Sequence, residues 1–388
     1  MPNPTTTVTS TWSTTADLPI PGSLAGQHDG PALLPDGTVL VAGGGDATSA
    51  ALARAARYDP TAGHWKATGA MHAARRLHSV TVLADGGVLV AGGTSAGSQF
   101  PPSALATAEV YAPTTGTWTG TDDLQVARWD HSAVALPDGS VLVAGGTAVR
   151  SGQSVRALAS VERWDPTTGK WTSVAPMTDA RTGHPAVLLD NGHVLVVGGS
   201  VPTGRDSAAD LAFCELYDPA TDTWTPTGNM TVARAGHRAV AVSPTSVLVT
   251  GGRPPGRGGD GTFDPFSRAT AELYNQGTGA WTAVAAMPAG RQLHRAVTLV
   301  GGRVLLVGGT DGGANAVGYA SAIEYDPIAN IWTEVGGLAA GRWSFGAVAL
   351  TDHTVLVTGG IGRAGLAAAG APELTAGTEI FTAGPDTP

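Results

Sequence analysis

The chain alternates between short apolar runs and polar turns, and this alternation repeats along its length. A clear copy begins at His131, where HSAVALPDGSVLVAGG is followed by a loop and then by SVERWDPTTGKW. Each copy predicts four strands, a to d. Strand a alternates loosely, an Asp-Gly turn leads to the β-branched strand b, and a glycine doublet ends strand b. Strand c carries Glu-x-Tyr/Trp-Asp-Pro, whose proline stops the strand, and strand d begins at a tryptophan.

Two markers give the period of the repeat. The glycine doublets begin at Gly43, Gly92, Gly145, Gly198, Gly251, Gly308 and Gly359. The tryptophans are Trp12, Trp65, Trp118, Trp171, Trp224, Trp281 and Trp332. Subtracting successive tryptophan positions gives steps of 53, 53, 53, 53, 57 and 51 residues, a spacing typical of propellers. One such sheet cannot bury both faces alone, so we predict an all-β, seven-bladed β-propeller of four-stranded antiparallel blades.

The two ends of the chain complement each other. The seventh copy has no tryptophan strand after residues 378–381, whereas residues 10–13 carry Trp12 ahead of the first copy. We therefore predict that the N-terminal strand closes the last blade, which removes the exposed edges of an open array. Residues 1–388 then form a single domain, with blades at about 24–69, 75–122, 128–175, 181–228, 234–285, 291–336, and 342–382 plus 8–14.

The glycine doublet, the Glu-x-Tyr-Asp-Pro segment and the Gly-x-Trp spacing resemble the kelch-repeat family, including bacterial kelch-like repeats and those of the galactose oxidase central domain. The resemblance covers about residues 8 to 382 in seven copies. It implies a β-propeller. Because kelch propellers serve as enzymes, as lectin-like binders and as protein-docking platforms, the resemblance leaves the function open.

Composition restricts the partners. The chain has 31 acidic and 22 basic residues, a formal charge of −9 and no basic cluster, so we expect no nucleic acid partner. No apolar run approaches the ~18 residues of a membrane span, and the amino terminus lacks a signal region. We therefore expect no membrane partner, a monomer, and a cytoplasmic location unless a leader has been trimmed. The single Cys214 is expected to be a small buried apolar residue, not part of a copper-radical site.

Charged residues recur at fixed places around the linkers between blades. An apolar plug follows each tryptophan by six residues: Leu18, Met71, Leu124, Met177, Met230, Met287 and Leu338. An arginine follows four residues later at Arg75, Arg128, Arg181, Arg234, Arg291 and Arg342. Strand c carries Glu109, Glu162, Glu215, Glu272, Glu324 and Glu379. Blade one has Gly26 and Ala56 at these two places, and this joint loss favours a buried Arg–Glu pair within each blade. The alternatives are shared divergence of that blade and an anion-binding rim of arginines.

A second ring of polar residues lies three residues after the arginines. It contains His78, His131, His184, His237 and His294, with Phe345 in blade seven and Asp29, beside His28, in blade one. Imidazoles hold metals and act as acids or bases, so these five histidines are candidate ligands for a divalent or transition metal. The alternative is hydrogen bonding to neighbouring backbone. No short metal-ligand motif is present.

Departures from the repeat predict an off-centre pocket at the loop-rich mouth of the channel. The b–c loops vary in length and share a face with the linkers, and variable loops on a rigid scaffold usually carry binding sites. The catalytic candidates are Asp29, Asp130, His131 and His78. The ligand-binding candidates are His28, Arg76, Trp129, Trp343, Phe345 and, from the long blade-five loop, Phe263. Aromatic walls with a few polar groups suit a small molecule.

Three functions remain at this point. The first is a small-molecule enzyme of lyase, isomerase or cyclase type that uses acid/base groups in this pocket. The alternative is a non-catalytic propeller that binds glycans or peptides, and the third is a protein-docking scaffold. The chain contains neither a Gly-x-Ser-x-Gly elbow nor a phosphate-binding Gly-Lys-Ser/Thr loop.

Overall fold

The computed structural model describes residues 10–24, 26, 30–95, 103–150, 154–203, 207–254, 256–257, 263–264, 266–312, 317–351, 353–365, 368 and 371–384. Over these residues the chain forms seven four-stranded antiparallel sheets, each with the strand order a-b-c-d. The predicted seven-bladed β-propeller is confirmed. No helix in this part of the chain is long and apolar enough to cross a membrane.

The first four blades follow one another along the chain. In blade one the strands are Ala32–Leu33, Val39–Ala42, Ala55–Asp59 and His64–Ala67. In blade two they are Ser79–Val82, Val88–Ala91, Ala108–Ala112 and Thr117–Gly120. In blade three they are Ser132–Ala135, Val141–Ala144, Val161–Asp165 and Lys170–Val174. In blade four they are Ala186–Leu188, Val194–Val197, Cys214–Asp218 and Thr223–Pro226.

The remaining blades keep the same order until the ring closes. In blade five the strands are Arg238–Ser243, Ser246–Thr250, Ala271–Asn275 and Ala280–Val284. In blade six they are Arg295–Thr298, Val304–Val307, Ser321–Asp326 and Ile331–Gly337, with a short 3-10 turn at Val300–Gly302. In blade seven they are Gly346–Thr351, Thr354–Thr358, Thr378–Thr382 and, from the amino end, Thr11–Thr15.

The core lies between adjacent blades. Strand b is buried on both faces, as in Val141–Ala144, which explains its continuous β-branched run. The tyrosine of strand c packs against the tryptophan of strand d, with the ring centroids of Tyr111 and Trp118 5.0 Å apart. Each apolar plug is buried, at 3–5% exposure. The repeated residues therefore encode the contacts by which each blade covers its neighbour.

The N-terminal strand closes the ring as predicted. Thr11–Thr15 pairs antiparallel with Thr378–Thr382, which sets Trp12 opposite Phe381. Neighbouring strands a contact each other around the whole circle, including those of blades seven and one. The closed ring leaves no blade without a neighbour on either face.

The linkers and the b–c loops meet on one face of the ring. Residues just after the arginine position bridge to the residue after the glycine doublet, as Trp129 does to Thr147. The doublets need glycine because both residues have positive φ, and a Cβ on Gly145 would lie 2.6 Å from the Arg181 carbonyl oxygen. The b–c loops form additional hairpins at Thr147–Arg150 with Ser154–Ala157, Ser200–Pro202 with Ala208–Asp210, Gly256–Arg257 with Phe263–Asp264, and Ile361–Arg363 with Glu373–Leu374.

Candidate functional site

The arginines of the linkers pair with glutamates of the same blade, which confirms the Arg–Glu interpretation in five blades. The distances from Nη2 to Oε1 are 2.9, 2.7, 2.8, 2.7 and 2.6 Å for Arg75–Glu109, Arg128–Glu162, Arg181–Glu215, Arg234–Glu272 and Arg342–Glu379. In each of the five pairs, both side chains are at most 4% exposed. We call each pair an Arg–Glu strut, because a buried pair of this kind ties the linker to strand c.

Each strut also makes hydrogen bonds to backbone groups around it. Arg128 Nη1 donates to the Gly145 and Ser160 carbonyl oxygens, both at 2.9 Å. Glu162 accepts the backbone N–H of Gln125 at 2.6 Å and that of Val126 at 3.1 Å. Burial lowers the pKa of Arg128, and Glu162 opposes that effect. The arginines are therefore structural and do not form an anion-binding rim.

Blade six departs from the assignment made from sequence. Glu324 lies directly before Tyr325, whereas the strut glutamates lie two residues before their aromatic residue. Its strand register places Ile323, not Glu324, at the strut position. Glu324 instead receives a hydrogen bond from Arg303 Nη1 at 2.6 Å. The assignment of Glu324 as a strut partner of Arg291 was wrong, because one residue along a strand reverses the face of the side chain.

Blade one was also misaligned at its start. The Gly360 N–H donates to the Gly22 carbonyl at 2.9 Å, as the Gly93 N–H does to the Arg128 carbonyl at 2.8 Å. Gly22, not Gly26, therefore occupies the arginine position. Counting four residues on from the plug Leu18 gives Gly22 directly, so the sequence contained the correct signal.

A proline marks both blades that lack a strut glutamate. In the five complete blades the residue after the plug donates its N–H to the carboxylate, as Gln125 does. In blades one and six that residue is Pro19 and Pro288, neither of which has an N–H to donate. The strut glutamate, which accepts this hydrogen bond, and the backbone N–H that donates it are thus lost together in these two blades.

The histidine ring is buried and packs between blades. His78, His131, His184, His237 and His294 are 0–1% exposed, and Phe345 is 0% exposed. His131 Nε2 lies 3.0 Å from Ser79 Oγ, and His294 Nε2 lies 2.8 Å from Thr250 Oγ1. A Cβ on the first doublet glycine of the preceding blade would touch the ring, as Gly43 would touch His78. Three of these histidines, His131, His184 and His294, thus hydrogen-bond to side chains within the core, and all five are enclosed by protein.

Burial keeps at least three of these imidazoles, those of His78, His237 and His294, neutral. The pKa of His78 is lowered to about 3, first by burial and then by the nearby Arg75, while the Ala42 carbonyl opposes the shift. Burial likewise holds the pKa of His237 and His294 well below the usual value. A neutral, enclosed imidazole has no route to exchange protons with a substrate at the channel mouth.

We expect the fold to lose stability in acid because of these histidines. The unfolded chain binds a proton at His78 below about pH 6.5, while the folded chain does so only near pH 3, so stability falls as the pH drops between these values. Each such histidine lowers the free energy of unfolding by roughly 2 kcal/mol as the pH falls from 7 to 5. His78→Phe copies Phe345 of blade seven and should flatten the dependence of unfolding free energy on pH, as measured by urea melts. His64→Gln, at an exposed histidine, should leave the slope unchanged. An unchanged slope in His78→Phe contradicts this account.

The aromatic residues Trp129, Trp343 and Phe345 predicted for the pocket are buried. Trp129 is 7% exposed and bridges to Thr147 of its own blade, whereas Trp343 is 3% exposed and packs on Ile361 and Leu293. Phe345 is enclosed between blades. The aromatic walls predicted for a pocket are thus part of the packing beneath the loops.

Among the polar candidates, Asp130 contacts the segment that carries Arg76 and His78. Asp130 is half-buried at a positive φ of 52°, and its N–H donates to the Leu77 carbonyl at 2.9 Å. Arg76 is half-buried, and burial lowers its pKa while Asp46 raises it. His28 and Asp29 lie outside the described residues. Phe263 belongs to a two-residue strand of the blade-five loop, and its side chain is not described.

Two arginines that the sequence analysis did not select lie at the loop-side end of the channel. Arg238 and Arg295 begin strand a of blades five and six and are each 6% exposed. Arg295 Nη2 donates to the Leu24 carbonyl at 2.8 Å, and both guanidinium groups approach the Gly26 carbonyl, at 3.5 and 3.4 Å. They tie blades five and six to the linker of blade one. Their signal in the sequence is an arginine directly after the ring histidine.

An exposed apolar patch lies on the loop-rich face over blades five to seven. Phe266 is 63% and Val317 57% exposed, and Tyr319, half-buried, lies with its ring 5.1 Å from the Arg291 guanidinium carbon. We call these three residues the five–seven patch. None of these three residues was among the candidates selected from the sequence, although Phe266 lies in the same long blade-five loop as Phe263.

The loops that carry the five–seven patch are fixed to each other. The Ser267 N–H donates to Asp311 Oδ1 at 2.8 Å, and Ser267 Oγ donates to the Asp311 carbonyl at 2.7 Å. The Gly318 N–H donates to the Gly362 carbonyl at 2.9 Å, which joins the loops of blades six and seven. The patch is therefore presented on a braced surface.

No group of three His, Cys, Asp or Glu side chains able to hold a metal ion occurs among the residues that the structure describes. Cys214 is buried as expected, and burial raises the pKa of its thiol to about 11. A cavity of about 490 Å³ lies among the a–b turns of blades three to six, lined by residues such as Pro137, Leu188 and Val242. It is on the short-turn face, away from the candidate residues.

Comparison with known proteins gives the family. Residues 130–360, more than half of the chain, match the model described as the KLHDC2/KLHL20/DRC7 Kelch-repeats domain. The chain is 27% identical over 274 residues to Kelch-like protein 34 of Homo sapiens, covering 69% of this chain and 40% of that protein. It is 26% identical over 298 residues to Kelch-like protein terF of Aspergillus terreus, covering 71% and 59%. The chain thus spans about half the length of these relatives.

Solved structures support the fold alone. A fungal alcohol oxidase of the AA5 family, described in complex with copper, aligns with a TM-score of 0.71 at 18% identity and covers 97% of this chain and 76% of its own. The structure of YjhT aligns with a TM-score of 0.58 at 16% identity, covering 77% and 93%. Identities this low carry no inference about activity.

The prediction of a lyase, isomerase or cyclase was wrong. The matches are to a kelch-repeat domain and to Kelch-like proteins, and they provide no support for that chemistry. Its proposed acid/base groups His78 and His131 are enclosed in the core, at 1% exposure. A function based on binding, the alternative drawn from the sequence, fits these findings better.

Proposed function

Because the chain belongs to the kelch-repeat family, we propose that it is a non-catalytic propeller that binds a peptide segment of a protein partner on its loop-rich face. The observation that carries this proposal is the five–seven patch, which exposes Phe266 and Val317 on braced loops. Exposed apolar side chains rimmed by polar residues are typical of protein-interaction sites.

The surroundings of the patch favour a peptide with mixed character. Arg363 and Glu373 lie at the rim in blade seven, with side chains 59% and 47% exposed, and Asp311 lies at the rim in blade six. Apolar side chains of a partner would cover Phe266 and Val317, while its polar groups would meet these rim charges. Because the loops are already fixed, little ordering cost accompanies binding.

The proposal can be tested with displayed random peptides selected on the intact propeller. We expect a consensus with an aromatic or aliphatic anchor, and we expect Phe266→Ser with Val317→Ser to weaken the selected peptide at least ~10-fold in Kd. Ile328→Ser is the matched control, because Ile328 is 92% exposed on a c–d turn of the opposite face. Equal loss in both variants, or selection of peptides that bind elsewhere, would contradict the proposal. Binding of a glycan array with no selected peptide would favour the glycan alternative.

A further inference from the structure

The five struts show how this fold holds a carboxylate. In blade three Glu162 accepts from Arg128 Nη2 and from the N–H groups of the two residues that follow the plug. The residue two positions before the glutamate also turns toward the guanidinium. In three strut blades its hydroxyl lies 3.1–3.2 Å from the arginine Nη2, at Thr107, Ser160 and Thr270, and Ser321 makes the same contact in blade six, which has no strut glutamate. A carboxylate, a guanidinium and two amides thus make up one complete clamp.

Blade one keeps the cation of this clamp but lacks the carboxylate. Ala56 lies opposite Val41, in the same register as Glu109 opposite Val90. Two residues before Ala56, where four other blades have Thr or Ser and blades four and seven have Phe213 and Gly377, the chain has Arg54. A Cβ at Gly22 would clash with Arg54 Nη2, so the Arg54 guanidinium fills the place of the missing linker arginine.

The charge of Arg54 is not matched within this part of the protein. Its Nε and Nη2 atoms are buried without a hydrogen-bond partner among the described residues. Burial lowers the pKa of Arg54 to about 10, which still leaves it protonated at neutral pH. A buried cation without a partner is costly, and a bound anion would remove that cost.

One of the two amide donors of the clamp is present in blade one. Pro19 has no N–H, but Ile20, at the second donor position, has one. Ile20 is 48% exposed, and Arg54 is half-buried, whereas the strut arginines are 0–1% exposed. Ala56 presents only a methyl group where the five strut blades place a carboxylate arm. The clamp in blade one therefore lacks a protein carboxylate and is less covered than the struts, and we call it the open clamp.

We infer that the open clamp of blade one binds a carboxylate supplied by a ligand, held by the Arg54 guanidinium and the Ile20 N–H above Ala56. The carboxylate belongs either to an acidic side chain of a docked protein or to a free small acid. The inference does not depend on the five–seven patch, since the two sites use different residues and different chemistry.

Calorimetric titration with two probes tests it: N-acetyl-glutamate amide, which represents an acidic side chain, and glutarate, which represents a free acid. Arg54→Met should weaken binding at least ~10-fold, while Arg57→Met, in the adjoining strand Ala55–Asp59, should not. Ala56→Glu should abolish binding, because the protein then supplies its own carboxylate. Ala56→Glu should also raise the Tm above that of Ala56→Gln, which fills the same volume without charge.

The results of these titrations either assign the ligand class or overturn the inference. Binding of the capped glutamate with no binding of glutarate assigns the site to an acidic protein segment, and the reverse assigns it to a free acid. Failure of both probes to bind the unaltered protein, or binding that survives Arg54→Met, overturns the inference. An Ala56→Glu variant no more stable than Ala56→Gln also overturns it, independently of any ligand. None of these results bears on peptide binding at the five–seven patch.

Discussion

Deleting residues 10–15 is expected to abolish cooperative unfolding of the whole propeller. The deletion removes the strand Thr11–Thr15 from the edge of blade seven, exposes Thr378–Thr382 as an unpaired edge, and uncovers Phe381, whose ring lies 5.1 Å from that of Trp12. It also removes the hydrogen bonds from Trp12 Nε1 to Val335 O at 3.0 Å and between Thr15 and Tyr58 at 2.7 Å, which reach blades six and one.

The loss should exceed the ~3 kcal/mol typical of truncating a large packed aromatic residue, because pairing and closure are lost with it. Urea unfolding followed by tryptophan fluorescence and by circular dichroism should give separate, broadened transitions. A peptide of residues 10–16 added in excess should restore a single transition, since strand pairing supplies the missing edge. A truncated chain that melts as sharply as the intact one would show that closure contributes little.

Glu162→Gln is expected to destabilise the protein by about 3–5 kcal/mol, because it leaves the Arg128 guanidinium buried without its counter-charge. The change keeps the shape of the side chain, so the effect isolates charge from packing. The measurement is the free energy of unfolding in urea at neutral pH. The loss should be similar at Glu215, whose strut is equally buried.

The control for this change lies in the same blade. Asp138 pairs with Arg163 on the surface, where the side chains are 54% and 27% exposed. Exposed pairs contribute less than ~1 kcal/mol, so Asp138→Asn should cost far less than Glu162→Gln. Equal costs at the two sites would mean that burial of the strut does not set its energy.

The sequence predicted the fold because the repeat records the same contacts seven times. The glycine doublet, the strand b run and the tryptophan each mark one place in every blade, so their spacing gives the number of blades directly. The displaced Trp12 strand predicted closure for the same reason. It also predicted the Arg–Glu struts, because both partners vanish together in blade one.

The predictions were wrong where a single residue was assigned to a repeat position without a check against the equivalent residues of the other blades. Glu324 was assigned by residue type, and a shift of one position put it on the other face of its strand. Gly26 was assigned by counting back from the glycine doublet, whereas counting on from the plug Leu18 gives Gly22, which the hydrogen bond from Gly360 confirms. In both places the plug and its following proline were the better guide.

The amino-acid order alone determined the number of blades, the closing strand and the internal charge pairs, since these are local patterns repeated at a fixed distance. Only the tertiary structure decided which polar residues face the interior. His78 and Trp129 read as channel-mouth groups in the sequence, yet neighbouring blades enclose them. The exposed Phe266 and the open clamp around Arg54 likewise became visible only in three dimensions, because exposure depends on what the adjacent loops and linkers cover.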